Sequence, residues 1–230
     1  MDFPLKILND RVKSLDQFNG YLSVWGDYGV GKTTFSLQTA FHNSSLGKIV
    51  LFVYTKPNLP YEKIKNLSQK FTKDELNNFH LFLVLDFAEL YDIVLNLEFI
   101  IIEINKRNRA SEILIIFDSI TNLYHMEFRK SKKSKNVILN YQLNQILATL
   151  SHLNATYEVS ILIVNYLRNL KQQGQSKEIQ SGGKVMDYWV DYSIKIERHK
   201  KLNYRKIFFS KNPEEKELSF FLKLTELGFE

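Results

Sequence analysis

Continuous apolar runs alternate with longer amphipathic segments along the first two thirds of the chain. Runs in which every position is apolar, rather than every second one, are typical of strands that are buried on both faces of a sheet. Five such runs predict strands, at Tyr21–Trp25, Ile49–Tyr54, Leu81–Leu85, Ile113–Phe117 and Val159–Val164.

The segments between these runs have apolar residues at helical spacing. They predict helices at Thr33–His42 and over residues 61–71, 88–108 and 137–156. A chain in which strands and helices alternate in this way forms a parallel sheet that is covered by helices.

The pattern changes after Gly182 and Gly183, where short strand-like runs follow one another without helices. These runs lie at Val190–Glu197, Lys206–Ser210 and Leu218–Leu224. We expect them to add antiparallel strands at one edge of the sheet. The predicted class is therefore α/β, with a mainly parallel twisted sheet flanked by helices. We expect residues 1–230 to form a single domain, with residues 1–13 as a lead-in.

Composition excludes several classes of protein. The 230 residues contain 44% hydrophobic residues, too many for a disordered chain, and no cysteine, which excludes disulfide scaffolds, cysteine nucleophiles and thiolate metal sites. The most apolar stretch, residues 93–104, carries Glu98 and Glu103 and is too short to span a bilayer. We expect a cytoplasmic protein without a membrane partner. Its net charge of +6 is compatible with binding to nucleic acid.

One motif carries specific chemistry. Residues 26–33 read GDYGVGKT and satisfy the phosphate-binding pattern G-x-x-x-x-G-K-[ST] between a predicted strand and a predicted helix. Glycines let the backbone turn its N–H groups toward phosphate oxygens, and the helix adds its positive end. The alternative is a glycine-rich turn without a ligand. The motif predicts an ATP site at Gly26, Asp27, Tyr28, Gly29, Val30, Gly31, Lys32, Thr33 and Thr34.

ATP in such loops is bound together with magnesium. Lys32 would reach the β- and γ-phosphates, and the Thr33 hydroxyl would ligate Mg²⁺. A second acidic group is needed near the metal, and Asp118 closes a buried strand at the end where open α/β sheets bind ligands. We expect Asp118 to hold Mg²⁺ through water. The alternative is an ordinary aspartate that ends a strand.

With both motifs placed, the chain resembles the RecA/RadA recombinase superfamily, and within it the short archaeal RadA paralogs, or RadB-like proteins. The segments that carry the resemblance are Ser14-Leu15-Asp16, Asp118-Ser119-Ile120-Thr121, Val164-Asn165-Tyr166, Gly182-Gly183-Lys184 and Lys211-Asn212-Pro213-Glu214 followed by Leu218–Phe229. The resemblance covers about residues 14–230. It implies a RecA-like P-loop NTPase core that acts in DNA recombination and repair. We expect the family's helical N-terminal DNA-binding domain to be absent.

Two positions depart from the superfamily pattern. Lys56 stands where the family has the acidic residue that orients the attacking water, and Tyr166 replaces a glutamine that senses the γ-phosphate beside Asn165. An ammonium group cannot accept a proton from water, although it could contact the γ-phosphate. We therefore expect ATP binding with weak or altered hydrolysis, with Lys32, Lys56 and Asp118 as catalytic candidates. Asp86 or Glu89 could replace the missing acid.

Basic residues cluster at two places that the resemblance assigns to DNA-binding loops. The first, between the Asp118 strand and the next helix, carries Arg129, Lys130, Lys132, Lys133 and Lys135. The second predicted loop, Asn169–Ser181, carries Lys171 and Lys177, with Arg168 before it and Lys184 after it. Such charges neutralise phosphates, and single-stranded DNA is the expected ligand. A solvated charged surface is the alternative.

The resemblance also implies protein partners. Lys211 resembles a position at which neighbouring subunits contact each other's nucleotide, which would require a homo-oligomer. A full-length RadA-type recombinase or another repair protein is a further expected partner. Two other functions remain open: a nucleotide-gated protein-interaction module with impaired catalysis, and a KaiC-like signalling ATPase.

Overall fold

The structure is a computed structural model that describes residues 1–15, 18–107, 112–130, 133–172, 175–190, 192–211 and 218–230. The helices are α1 (Lys6–Lys13), α2 (Lys32–Ser45), α3 (Tyr61–Ser68), α4 (Phe87–Arg107), α5 (Ile120–Lys130), α6 (Lys133–Tyr157) and α7 (Lys184–Trp189). The first strands are β1 (Tyr21–Gly26), β2 (Ile49–Tyr54), β3 (Phe79–Leu83), β4 (Ile113–Asp118) and β5 (Ser160–Val164). The later strands are β6 (Leu167–Gln172), β7 (Gln175–Gln180), β8 (Tyr192–Arg198), β9 (Tyr204–Lys211), β10 (Leu218–Thr225) and β11 (Gly228–Phe229).

Nine of these strands form one sheet in the order β11-β10-β9-β8-β1-β5-β4-β2-β3. The strands from β8 to β3 in this order run parallel to one another, whereas β9, β10 and β11 are antiparallel to their neighbours. The predicted class, a mainly parallel sheet with antiparallel strands at one edge, is confirmed. Strand β3 begins two residues earlier than predicted, because Phe79 packs against Phe41 and Phe52, with ring centroids 4.9 and 5.9 Å apart.

The core lies on both faces of this sheet, and β4 shows how the sequence divides between them. Ile115 and Phe117 face α4, α5 and α6, whereas Leu114 and Ile116 face α2 and α3. All four side chains are fully buried. This is the physical reason for the uninterrupted apolar runs, since each successive residue enters one of two separate hydrophobic layers.

Two predicted loops are wrong in part, because the chain there forms regular structure. The first basic segment was expected to be a loop, but α5 continues through Lys130 and α6 begins at Lys133, so its basic residues lie mostly at helix ends. The second forms a hairpin in which β6 pairs with β7, starting with Leu167 opposite Gln180. Polar side chains occupy most of both hairpin strands, so backbone hydrogen bonds form the ladder without an apolar pattern.

The most apolar segment of the sequence lies in α4 and contains two acidic residues. Glu98 accepts a hydrogen bond of 2.7 Å from the Tyr157 hydroxyl, and Glu103 pairs with Lys106 at 2.8 Å. Throughout the described ranges, no helix combines the length and apolar character needed to cross a membrane.

Replacement of a core isoleucine tests the two-layer packing. Ile115→Ala removes a fully buried side chain, and we expect it to lower the free energy of unfolding by about 2–5 kcal/mol through lost burial and a cavity. Ile138→Ala on α6 is the matched control, because its side chain is 58% exposed and its loss should change stability by less than about 0.5 kcal/mol. Urea denaturation measures both, and equal losses would contradict the packing.

Candidate nucleotide-binding site

The phosphate-binding motif forms a tight turn between β1 and α2. Gly26 has a φ of +147°, and a Cβ at this position would lie 2.2 Å from the carbonyl oxygen of Ile196 on β8. Gly29 and Gly31 have φ values of 75° and 108°, in the left-handed region that favours glycine. No side chain caps the first turn of α2, so its N–H groups remain available to an anion.

Two arginines that the motif does not contain hold this turn from outside. Arg198, at the end of β8, donates a hydrogen bond of 2.8 Å to the carbonyl oxygen of Tyr28. Arg205 on β9 donates one of 3.1 Å to the carbonyl oxygen of Val30. Both guanidinium groups thus bind carbonyl oxygens of the turn, and these oxygens would otherwise repel a phosphate. The two arginines therefore stabilise the curled form of the turn. Sequence reasoning missed these contacts because the two arginines lie far along the chain.

Lys32 is buried against the turn that it follows. Its Nζ donates to the carbonyl oxygens of Gly26 at 2.9 Å and Asp27 at 2.6 Å. Burial lowers the pKa of Lys32 to about 8, and the nearby positive charge of Lys56 adds to this effect. The ammonium group is therefore poorly solvated, and an anion beside it would be strongly favoured.

A cleft of about 330 Å³ opens beside the turn, and three lysines line it. Lys32 and Lys56 were predicted there, but Lys63 on α3 was not. Burial lowers the pKa of Lys63, and the charge of Lys56 lowers it further. The position of α3 in the sequence could have indicated Lys63. Helix α3 follows β2, and the carboxyl end of β2 lies at the same end of the parallel sheet as the phosphate-binding turn.

Lys56 connects the two residues that were predicted to bind magnesium. Its Nζ donates a hydrogen bond of 2.9 Å to Thr33 Oγ1 and lies 2.5 Å from Asp118 Oδ1. Asp118 is fully buried, and its other carboxylate oxygen, Oδ2, has no hydrogen-bond partner. The Lys56–Asp118 pair thus neutralises a carboxylate that would otherwise be an isolated buried charge.

Thr55 fixes the backbone position from which the Lys56 side chain extends. Its backbone N–H donates to the carbonyl oxygen of Asp118 at 2.9 Å, and its hydroxyl donates to the carbonyl oxygen of Ser119 at 2.6 Å. Tyr54 lies opposite Asp118 in the pairing of β2 with β4. The ends of the two strands are therefore joined at the point where the Lys56 side chain leaves the backbone.

The residues present do not fit Mg²⁺ in this arrangement. A hydroxyl and a carboxylate are ligands that magnesium prefers, and the structure brings Thr33 and Asp118 together. However, the Lys56 ammonium group bonds to both of them and takes the position from which one ion would contact both. Over the ranges that the structure describes, no cluster of three His, Cys, Asp or Glu side chains offers another metal site.

The two residues predicted to sense the γ-phosphate have different surroundings, and one of them lines the cleft. Tyr166 lines the cleft, with its ring centroid 4.9 Å from Lys32 Nζ and 5.8 Å from Lys56 Nζ. Burial raises the pKa of Tyr166 to about 12, with a further contribution from the charge of Asp118. Asn165 is buried, accepts a hydrogen bond of 2.7 Å from the Thr121 hydroxyl and does not line the cleft. Of the two predicted sensors, Tyr166 is the one placed to contact a nucleotide in the cleft.

The proposed replacement acids lie elsewhere. Asp86 Oδ1 accepts hydrogen bonds from the backbone N–H groups of Ala88 at 2.7 Å and Glu89 at 3.3 Å. Asp86 therefore caps the N-terminus of α4, and neither it nor Glu89 lines the cleft. The suggestion that one of them replaces the missing acid is not supported by their position.

A second cavity, of about 530 Å³, lies on the other side of Tyr166. Arg129 on α5 and Arg168 on β6 are exposed and line it together with His125. Burial lowers the pKa of His125, and the charges of Arg168 and Arg129 lower it further. Tyr166 therefore lines both the candidate nucleotide cleft and a basic cavity that carries two of the residues predicted to bind DNA.

The remaining predicted residues are dispersed. Lys130, Lys135 and Lys184 are exposed on α5, α6 and α7. Lys133, Lys171 and Lys177 lie in α6, β6 and β7, but their side chains, like all of Lys132, fall outside the described parts of the structure. Lys211 ends β9, with its Nζ 5.8 Å from the ring centroid of Tyr192 and away from the cleft of its own chain.

Comparisons with known proteins agree with this fold. A sequence model of the Rad51 family matches residues 19–229, and the chain belongs to this family. Within the RecA/RadA superfamily it is a RadB-like protein. It is 29% identical over 175 residues to the DNA repair and recombination protein RadB of Methanocaldococcus jannaschii, covering 76% of each chain. The protein of that name from Methanobrevibacter smithii is 26% identical, over 79% of this chain and 74% of the relative. The one from Methanococcus maripaludis is 28% identical, over 84% and 82%.

A double-mutant cycle tests the pairing of Lys56 with Asp118. Lys56→Ala leaves a buried carboxylate unpaired, and we expect it to lower the free energy of unfolding by about 3 kcal/mol in the absence of nucleotide. In an Asp118→Asn background the same change should cost less than about 1 kcal/mol, because no buried charge remains. Urea denaturation of the four proteins measures the coupling. An equal cost of Lys56→Ala in both backgrounds would show that the pair does not exist.

Proposed function

We propose that this chain is an ATP-binding recombinase paralog that acts in DNA recombination and repair, binds single-stranded DNA and hydrolyses ATP weakly. The observation that carries the proposal is the convergence of the phosphate-binding turn and three lysines on one cleft. The relatives named RadB support the biological context. A full-length RadA-type recombinase is the protein partner that we propose, and Lys211 is a candidate for contact with the nucleotide of a neighbouring copy.

Electrostatics support a triphosphate as the ligand. Lys32, Lys56 and Lys63 bring three ammonium groups to the cleft, and Asp118 is the acidic side chain in contact with one of them. Free backbone N–H groups at the start of α2 add partial positive charge at the same place. A site with this excess of positive charge in partly buried surroundings favours a ligand with several negative charges.

The residues around the same cleft support the proposal of weak hydrolysis. The described residues that line it include no carboxylate, and Asp118 beside it is engaged by Lys56. A general base typically contributes a factor of about 10²–10⁴ to a reaction rate, and an ammonium group cannot serve as one. Cleavage of bound ATP would therefore be slow.

The basic cavity supports the DNA proposal. Arg129 and Arg168 are exposed at its lining and can neutralise phosphates, while Tyr166 lines both this cavity and the nucleotide cleft. A change in the position of the Tyr166 ring on nucleotide binding would alter both cavities. Tyr166 thus offers a short physical connection between the two proposed ligands, and the neighbouring Asn165 is anchored by the bond from Thr121.

A nucleotide-gated protein-interaction module is the second candidate function. The Lys56–Asp118 contact favours it, because a site without an available carboxylate can bind ATP without turnover. DNA-stimulated turnover that Lys32→Ala abolishes would exclude this second candidate. Persistent ATP binding with no turnover and no affinity for DNA would favour it.

Removal of the Lys32 charge tests ATP binding. We expect Lys32→Ala to weaken ATP binding about 10–100-fold, because a charge-assisted contact to phosphate contributes about 1.5–3 kcal/mol. Lys106→Ala is the matched control, since Lys106 lies on α4 outside the cleft and should leave affinity unchanged. Filter binding of labelled ATP measures both. Equal affinities of the two variants would contradict the proposed site.

Replacement of both cavity arginines tests DNA binding. We expect the double variant Arg129→Ala, Arg168→Ala to bind single-stranded DNA more weakly at low salt. The slope of log affinity against log salt should fall by about 1.4, since each phosphate contact to a single strand contributes about 0.7. Fluorescence anisotropy over a salt series measures the slope, again with Lys106→Ala as the control. An unchanged slope would place the DNA elsewhere.

A further inference from the structure

We propose that the ammonium group of Lys56 takes the place of the magnesium ion, so that this chain binds ATP as the metal-free anion. The inference rests on the proposed function of ATP binding and specifies which form of the nucleotide the cleft accepts. Two observations support it. Lys56 Nζ lies between Thr33 and Asp118, and among the described residues lysines rather than carboxylates line the cleft around them.

The position is that of a bridging cation. In P-loop proteins a hydroxyl of the first helical turn and a carboxylate at the end of a neighbouring strand hold Mg²⁺ beside the phosphates. Here Lys56 Nζ bonds to the hydroxyl, Thr33 Oγ1, and to the carboxylate, Asp118 Oδ1. The side chain of Lys56 retains 18% exposure and lines the cleft. One donor hydrogen of the ammonium group therefore remains for a phosphate oxygen.

The surroundings hold the ammonium group at this position. Besides its bonds to Thr33 and Asp118, Lys56 Nζ lies 5.6 Å from the ring centroid of Tyr54 and 5.8 Å from that of Tyr166. Aromatic faces attract a cation at such distances, and more strongly where water is excluded. Movement of Lys56 out of the site would leave the fully buried Asp118 without its partner.

Magnesium would have to compete with this arrangement. An ion bound between Thr33 and Asp118 would displace Lys56 from both, or lie next to its positive charge. Because Lys32 and Lys63 supply further positive charge to the cleft, a phosphate chain can be neutralised without the ion. The metal-free anion is also the more negatively charged form of ATP, and a cleft with three lysines favours it.

The first experiment measures ATP binding to the wild-type chain by calorimetry, in excess EDTA and in millimolar magnesium. We expect binding in EDTA to be at least as tight as binding in magnesium. Binding more than about threefold weaker in EDTA would overturn the inference while leaving the proposed ATP binding intact. Failure to bind ATP in either condition would overturn the proposed function, and the inference with it.

The second experiment uses variants of two cleft lysines under the same two conditions. Lys56→Ala removes the bridging ammonium, and magnesium should then strengthen ATP binding by about tenfold or more. Lys63→Ala is the matched control, because Lys63 lines the same cleft but makes no hydrogen bond to Asp118. We expect this variant to bind ATP more weakly by the same factor in EDTA and in magnesium. Magnesium dependence that is the same in wild type, Lys56→Ala and Lys63→Ala would overturn the inference.

Manganese supplies a readout that does not depend on affinity alone. With ATP and Mn²⁺ present, the electron paramagnetic resonance spectrum of the wild-type chain should be that of Mn²⁺ that is not coordinated by Thr33 and Asp118. Lys56→Ala should give a new protein-bound signal, and the double variant Lys56→Ala, Asp118→Asn should lose it. A protein-bound Mn²⁺ signal in the wild type that Asp118→Asn removes would contradict the inference.

Discussion

A buried carboxylate that must be neutralised organises the candidate site of this molecule. Asp118 ends β4 in the middle of the sheet and is fully buried, so an isolated charge there would be costly. Its backbone is fixed because β2 pairs with β4 up to Tyr54 and Asp118, and Thr55 continues the connection with three further hydrogen bonds to Asp118 and Ser119. Lys56 is the next residue, and its ammonium group supplies the compensating charge. Under our proposal, the form of nucleotide that the cleft accepts depends on this contact.

The rest of the site follows from strand direction. Strands β1, β2, β4 and β5 are parallel, and their carboxyl ends lie at the same end of the sheet. The segments that follow these strands therefore meet there. The phosphate-binding turn follows β1, Lys56 follows β2, and Tyr166 follows β5. Because Tyr166 lines both the candidate nucleotide cleft and the basic cavity, both proposed ligands would lie close to this side chain. The antiparallel strands at the sheet edge contribute Arg198 and Arg205, which support the turn from outside.

Much of this could be predicted from the sequence, and the exceptions have physical causes. The central strands were visible because burial on both faces requires uninterrupted apolar runs, and the turn was visible because its glycines and lysine have fixed spacing. The β6–β7 hairpin was not, since its ladder is made by the backbone and its side chains carry no apolar period. The position of Lys56 was identified, but a flexible four-carbon side chain can reach several neighbours, and spacing does not select between a phosphate and Asp118.

The most direct measurement is a crystal structure of the chain with ATP and Mn²⁺, with anomalous scattering to locate the metal. We predict that no manganese lies between Thr33 and Asp118 and that Lys56 Nζ bridges these residues to a phosphate oxygen. An anomalous peak between the Thr33 hydroxyl and the Asp118 carboxylate, with the Lys56 side chain turned away, would contradict the central claim.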